Sequence, residues 1–129
     1  MNNLVRNDAN LQWEDVEVIN NYLANLFVVR GKLDTFTSSD HMGDHYEELK
    51  DYVSDEMELL TERLKRNGGD PVGTSETVFQ RSTIDVNASQ LWEDIRTLAN
   101  DLRAKKLDLL SDAISVYDSY SERLRTLEA

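Results

Sequence analysis

Residues 44–73 read DHYEELKDYVSDEMELLTERLKRNGGDPVG. Tyr46, Leu49, Val53, Met57, Leu60 and Leu64 follow one another at spacings of 3, 4, 4, 3 and 4. That recurrence puts six apolar side chains on one face of a helix. Asp44 followed by Glu47 reads as an N-cap acceptor with an acid at N3. Arg63, Lys65 and Arg66 fall in the last turn, where cations suit the helix dipole. Asn67-Gly68 supplies a C-cap and Pro71 forbids continuation. The stretch therefore predicts a helix over 44–66 and a sharp stop after it.

Working outward, Pro71 is the chain's single proline, and Gly68, Gly69 and Gly73 are three of its five glycines. No other break is as sharp, though Ser38-Ser39-Asp40-His41-Met42-Gly43 makes a softer one. Upstream, Val16, Ile19, Leu23, Leu26 and Leu33 predict a helix over 12–37, widened by Tyr22 and Val29. Gly31 inside it suggests close packing. Downstream, residues 68–87 form a long connection in which Thr74–Gln80 predicts a short helix, with Val78 and Phe79 turned inward. Residues 88–129 hold no glycine or proline. Leu91, Ile95, Leu98, Leu102, Leu109, Ala113, Val116, Tyr120, Leu124 and Leu127 keep a helical rhythm that lapses at Lys105-Lys106. A single helix there would run about 60 Å at 1.5 Å per residue. Two helices, over 88–105 and 108–128, fit a compact domain better. Asn87 with Gln90 would cap the first, and Asp108 the second. Trp13 and Trp92 are read as packing anchors.

Four amphipathic helices with a long connection after the second predict an all-α fold, a ferritin-like four-helix bundle with one crossover. At 129 residues the chain is the length of one domain, spanning 1–129. It carries 40% hydrophobic and 30% charged residues, which is not a disordered composition. No run approaches the ~18 apolar residues of a membrane span. The polar N-terminus has no signal-peptide core. A cytoplasmic protein is expected. Cysteine is absent, which removes disulfides and thiol chemistry. With 25 acidic against 14 basic residues the net charge is −11. DNA binding runs on phosphate neutralisation by Lys and Arg, so DNA is not an expected partner. Metal cations or basic partners suit this field.

Residues 61–74, Thr-Glu-Arg-Leu-Lys-Arg-Asn-Gly-Gly-Asp-Pro-Val-Gly-Thr, resemble the second-helix end and following loop of the Dps family. These are miniferritins, named for DNA protection during starvation, and their pattern there is A-E-R-I, then G-G-x-P-x-(G/A)-T. Ser82-Thr83-Ile84 is similar to the S-T-I that closes the family loop. Gly43-Asp44-His45-Tyr46-Glu47-Glu48-Leu49 is similar to the family's G-P-x-F-F-E-L. The resemblance implies a four-helix bundle that self-associates into a homo-oligomer, in the family a hollow shell. It also implies Fe(II) bound and oxidised between subunits, often with hydrogen peroxide.

Carried over by motif, the family's helix-B carboxylates fall on Glu58 and Glu62. The family's two histidines do not carry over: their positions hold Thr37-Ser38-Ser39 and Lys50. The second helix is shorter than the family pattern by about two turns. From the residues alone, Asp51, Asp55, Glu58 and Glu62 form an acidic stripe opposite the apolar one. It reads either as a solvated face or as a metal face. His41 and His45, at i and i+4, read as polar residues near a cap or as replacement iron ligands. The expected metal residues are thus Glu58, Glu62, His41 and His45, the expected metal is iron, and the expected activity is ferroxidase-type. The alternative is a Dps-derived structural or interaction protein without that activity. No phosphate loop, nucleophile elbow or zinc-protease pattern is present.

Overall fold

The computed structural model describes residues 12–36, 43–85 and 90–128. Among these the protein is all-α, with no strand. Five helices occur: α1 (Trp13–Phe36), α2 (Gly43–Arg66), α3 (Ser75–Arg81), α4 (Leu91–Lys105) and α5 (Ser111–Glu128). A 3₁₀ turn, Asp108–Leu110, precedes α5.

The stripe on α2 is the core. Tyr46, Leu49, Val53, Met57, Leu60 and Leu64 are all buried. Its start is two residues earlier than the capping pattern implies, so Asp44 lies in the first turn rather than at the N-cap. Its end is a Schellman motif. The Gly69 N–H donates to the Leu64 carbonyl at 2.8 Å and the Gly68 N–H to Lys65 at 3.1 Å. Gly68 takes φ +75°, the left-handed conformation that glycine adopts without steric cost.

Helix α1 is unlike the others. From Val18 to Val29 it holds no charged residue. Ile19, Tyr22, Leu23, Ala24, Leu26, Val28 and Val29 are buried, because α2, α3 and α4 all pack on it. Two buried asparagines interrupt the run, and each holds the chain that crosses α1. Asn20 donates to the Asp70 carbonyl and accepts from the Val72 N–H at 2.9 Å. Asn25 accepts from the Ser82 hydroxyl and the Thr83 N–H, both at 2.8 Å. The expected close packing at Gly31 is not found. A Cβ there would meet nothing within 4 Å.

Helix α3 begins with a capping box between Thr74 and Thr77. Val78 is buried, but Phe79 is 62% exposed. Both were expected inside. Adjacent residues point about 100° apart, and a short helix on one side of α1 can bury only one of them. Trp13 is likewise 72% exposed and anchors no core of this chain, while Trp92 packs partly against it.

The last segment is two helices. Lys106 turns left-handed at φ 55° and its N–H closes on Leu102. Asp108 does not cap α5. It opens the 3₁₀ turn, where its carbonyl accepts from the Ser111 hydroxyl at 2.8 Å. Gln90 is the N-cap residue of α4, with no side-chain capping bond. Asn87 lies outside the described residues. On α5 the buried stripe runs Ala113, Tyr117, Tyr120 and Leu124, with Leu110 before it. The expected Leu109, Val116 and Leu127 are only partly buried.

Polar pairs give the helix directions. Lys50 meets Asp34 at 2.7 Å near one end of α1 and α2, and Gly69 approaches Val16 at the other. These two helices are antiparallel. Tyr46 to Glu128 and Tyr120 to Glu48 make α2 antiparallel to α5. Trp92 to Glu128 and Arg103 to Asp118 do the same for α5 and α4. Lys32 and the buried Asp94, 2.7 Å apart, bring the end of α1 to the start of α4. Since α2 ends near the start of α1, residues 67–85 start back along α1, held at Asn20 and then at Asn25.

The two left-handed residues give a pair of opposite expectations. Gly68→Ala should lower stability by about 1 kcal/mol, since alanine pays for positive φ. Lys106→Gly should raise it by about 0.5–1 kcal/mol. Urea denaturation of each variant beside the parent chain measures both signs.

Candidate functional site

Asp51, Asp55, Glu58 and Glu62 are exposed along the outer face of α2, as their spacing requires. Glu58 and Glu62 open into a groove of about 490 Å³ between α1 and α2, floored by Phe27 and Met57. Ser54 and Thr61 add hydroxyls, and Arg30 and Lys65 bring two cations to the same groove. Arg66 sits 3.5 Å from the Glu62 carboxylate. That pair is exposed on both sides and holds Glu62 only weakly.

His45 lies in the first turn of α2, half-buried, with its Nδ1 buried and unpartnered. At 1.5 Å per residue, it is about 20–25 Å along the helix from Glu58 and Glu62. One chain therefore does not bring His45 to the carboxylates. His41 lies outside the described residues. Lys50, at a position where the family pattern has a histidine, is engaged with Asp34. Among the described residues no three histidine, aspartate or glutamate side chains cluster to hold a metal ion. Glu58 and Glu62 offer two hard oxygen donors one turn apart, fewer than a metal ion needs. Any completion comes from outside this set.

The least expected polar feature is internal. The Tyr22 hydroxyl donates to Glu56 at 2.9 Å and lies 2.6 Å from the Tyr117 hydroxyl. A phenol has one proton, so with Tyr22 donating to Glu56, Tyr117 donates to Tyr22. The ring of Tyr117 also meets Tyr22 and Tyr52 edge-on, with centroids 6.2 and 5.7 Å apart. The cluster joins α1, α2 and α5. Burial pushes the Tyr22 and Tyr117 hydroxyls far above the usual phenol range. Burial also pushes Tyr52 up to about 12. Burial raises the Glu56 carboxyl, against the lowering effects of the Tyr22 hydrogen bond and the Arg63 charge. Arg63, one of the last-turn cations of α2, is itself buried.

Two more tyrosines follow the same scheme. Tyr46 donates to Glu128 and Tyr120 to Glu48, at 2.9 and 2.8 Å. Burial drives Tyr46 upward and Tyr120 up to about 12. The sequence reading passed over Glu56, which lies between the acidic stripe and the core stripe. The available signal was Tyr22 on the first helix's apolar face, whose hydroxyl needs an acceptor once buried.

No family model, curated protein or solved structure matches this chain. The Dps-like reading rests on the motif residues and the helix order.

Glu56 gives a pH expectation. Its folded pKa is raised above the unfolded 4.5, so the folded state holds the proton more tightly. The stability this contributes is fully present below about 4.5 and lost as pH rises through the folded pKa. Glu56→Gln keeps an acceptor for Tyr22 without the charge. It should unfold at higher urea than the parent at pH 7, and the gap should close as pH falls towards 4.5. Chemical denaturation across that range measures the gap.

Proposed function

We propose that this chain is a shortened Dps-like miniferritin that self-associates and handles iron. On this reading α1, α2, α4 and α5 form a ferritin-like four-helix bundle, and residues 67–90 are its long crossover, with α3 as the short helix within it. Fe(II) is the substrate. Each chain gives Glu58 and Glu62 to a site between subunits, where a neighbouring chain supplies the remaining ligands. The observation that carries the reading is this carboxylate pair, exposed and one turn apart, beside the motif that ends α2. Hard oxygen donors suit ferrous and ferric iron. With hydrogen peroxide as oxidant, two Fe(II) each give up one electron. The O–O bond breaks, and two protons are taken up to yield two waters. Such a protein works in the cytoplasm, and its acidic surface makes DNA an unsuitable partner.

A second reading has its own support. Arg30 and Lys65 line the same groove, Arg66 sits beside Glu62, and Lys50 is paired with Asp34. These cations compete with a metal for the carboxylates. They favour a Dps-derived structural or interaction protein without ferroxidase activity.

Peroxide-driven Fe(II) oxidation, with iron retained per chain counted after desalting, separates the two. The first reading expects faster oxidation than buffer and retained iron, both lost in Glu58→Ala/Glu62→Ala. No acceleration and no retained iron in the parent chain contradict it and leave the second.

A further inference from the structure

The groove between α1 and α2 carries more charge than a bare metal ion uses. Two acids, Glu58 and Glu62, and two cations, Arg30 and Lys65, line its 490 Å³. They do not neutralise one another. Among the described residues, neither Arg30 nor Lys65 forms an ion pair with any acid. Asp34, one turn along α1 from Arg30, is held by Lys50 at 2.7 Å. The Arg30 guanidinium instead donates to the Met57 sulfur at 4.0 Å, a weak acceptor that leaves its other donors unused. Lys65 follows Glu62 by three positions, a spacing at which acid and base pair on a helix, yet they do not close here. The volume is that of a small-molecule cleft rather than of a single ion. Two acids and two cations held apart in one cleft complement a ligand that carries both signs.

We propose that this groove takes a phosphate group together with the metal. Glu58 and Glu62 hold the cation, Arg30 and Lys65 hold the phosphate, and a phosphate oxygen reaches the metal as a further ligand. The inference rests on the metal role of Glu58 and Glu62 proposed above and names the co-ligand of that site. Hard cations bound by only one or two carboxylates complete their shells with phosphate oxygens and water. Guanidinium and ammonium groups are the side chains that hold phosphate, the first as a planar fork and the second as a point charge. Phosphate fits better than a carboxylate, because its charge is close to −2 and three oxygens are free to meet Arg30, Lys65 and the metal at once. A chain of net charge −11 repels a free anion. At this groove the two acids and two cations cancel, and a divalent ion makes the sum positive. Metal and phosphate therefore enter cooperatively, each raising the other's affinity by the same factor. The cations that compete with a bare metal become binding groups once the anion is present.

Equilibrium dialysis of the full chain against Mn(II), a divalent ion suited to oxygen donors, tests this at matched free metal. Inorganic phosphate should raise Mn(II) affinity about tenfold or more. Arg30→Met/Lys65→Met keeps the aliphatic length and the helix propensity. It should bind Mn(II) alone at least as well as the parent, since two cations have gone, and should lose the phosphate enhancement. A merely structural role for the two cations would instead weaken Mn(II) binding with and without phosphate alike, and that result overturns the proposal. Glycerol 3-phosphate in place of inorganic phosphate identifies the source: enhancement by either assigns that form, and enhancement by neither overturns the proposal. An enhancement that survives in Arg30→Met/Lys65→Met also overturns it, and leaves the carboxylate site standing. A chain that binds no Mn(II) under either condition overturns both. Iron oxidation is not the readout, so a chain that binds Mn(II) and phosphate together yet oxidises no iron keeps this site and loses the ferroxidase reading.

Discussion

Two phenol oxygens 2.6 Å apart, one of them bonded to the half-buried Glu56 carboxylate, fix how three helices can lie. Tyr117 gives its proton to Tyr22, and Tyr22 gives its own to Glu56. Each hydroxyl is satisfied only while α1, α2 and α5 keep their rotations. A buried polar group left without its partner costs about 1–3 kcal/mol, so a slip of one helix would strand several such groups at once. The aromatic rings add edge-on contacts to the same three helices. Apolar packing supplies most of the driving force for folding, but it tolerates small rotations. The hydrogen-bonded cluster does not.

That constraint reaches the outer surface. Helical geometry turns the chain about 100° per residue. With Glu56 held inward, Glu58 two positions on must face nearly the opposite way, and Glu62 follows it one turn later. The acidic face of α2 is thus set by the core. The same holds for the chain that crosses α1. Asn20 and Asn25 sit in an uncharged stretch, and their amides replace the backbone partners that residues 70–72 and 82–83 lack. Tight caps at Gly68 and Thr74 then set where the crossing begins and where α3 starts.

Much of the fold was legible because apolar spacing is a local property. The stripe from Tyr46 to Leu64, the stop at Gly68 and the break at Lys106 all depend on near neighbours in sequence. What depended on distant neighbours was not legible. The α5 stripe keeps the expected Ala113, Tyr120 and Leu124, but whether Val116 or Tyr117 joins them is decided by what packs on α5, since both fit the helical spacing. Phe79 and Val78 have equal claims to the core until α1 is in place. Glu56 looks like one more acid in an acidic helix until Tyr22 arrives from α1. Glu58 and Glu62 were legible as neighbours on one face, and the helix expected over 44–66 already set His45 several turns away from them.

The account stands on the buried cluster acting as a unit, and a double-mutant cycle on Tyr22→Phe and Tyr117→Phe addresses that most directly. Urea unfolding of the parent, both single variants and the double variant gives the coupling energy. The cluster as described predicts a coupling of at least about 1 kcal/mol, because Tyr22→Phe strands the buried Tyr117 hydroxyl and the double variant removes that penalty. Additivity within about 0.3 kcal/mol would contradict it and would return the rotation of these helices to apolar packing alone.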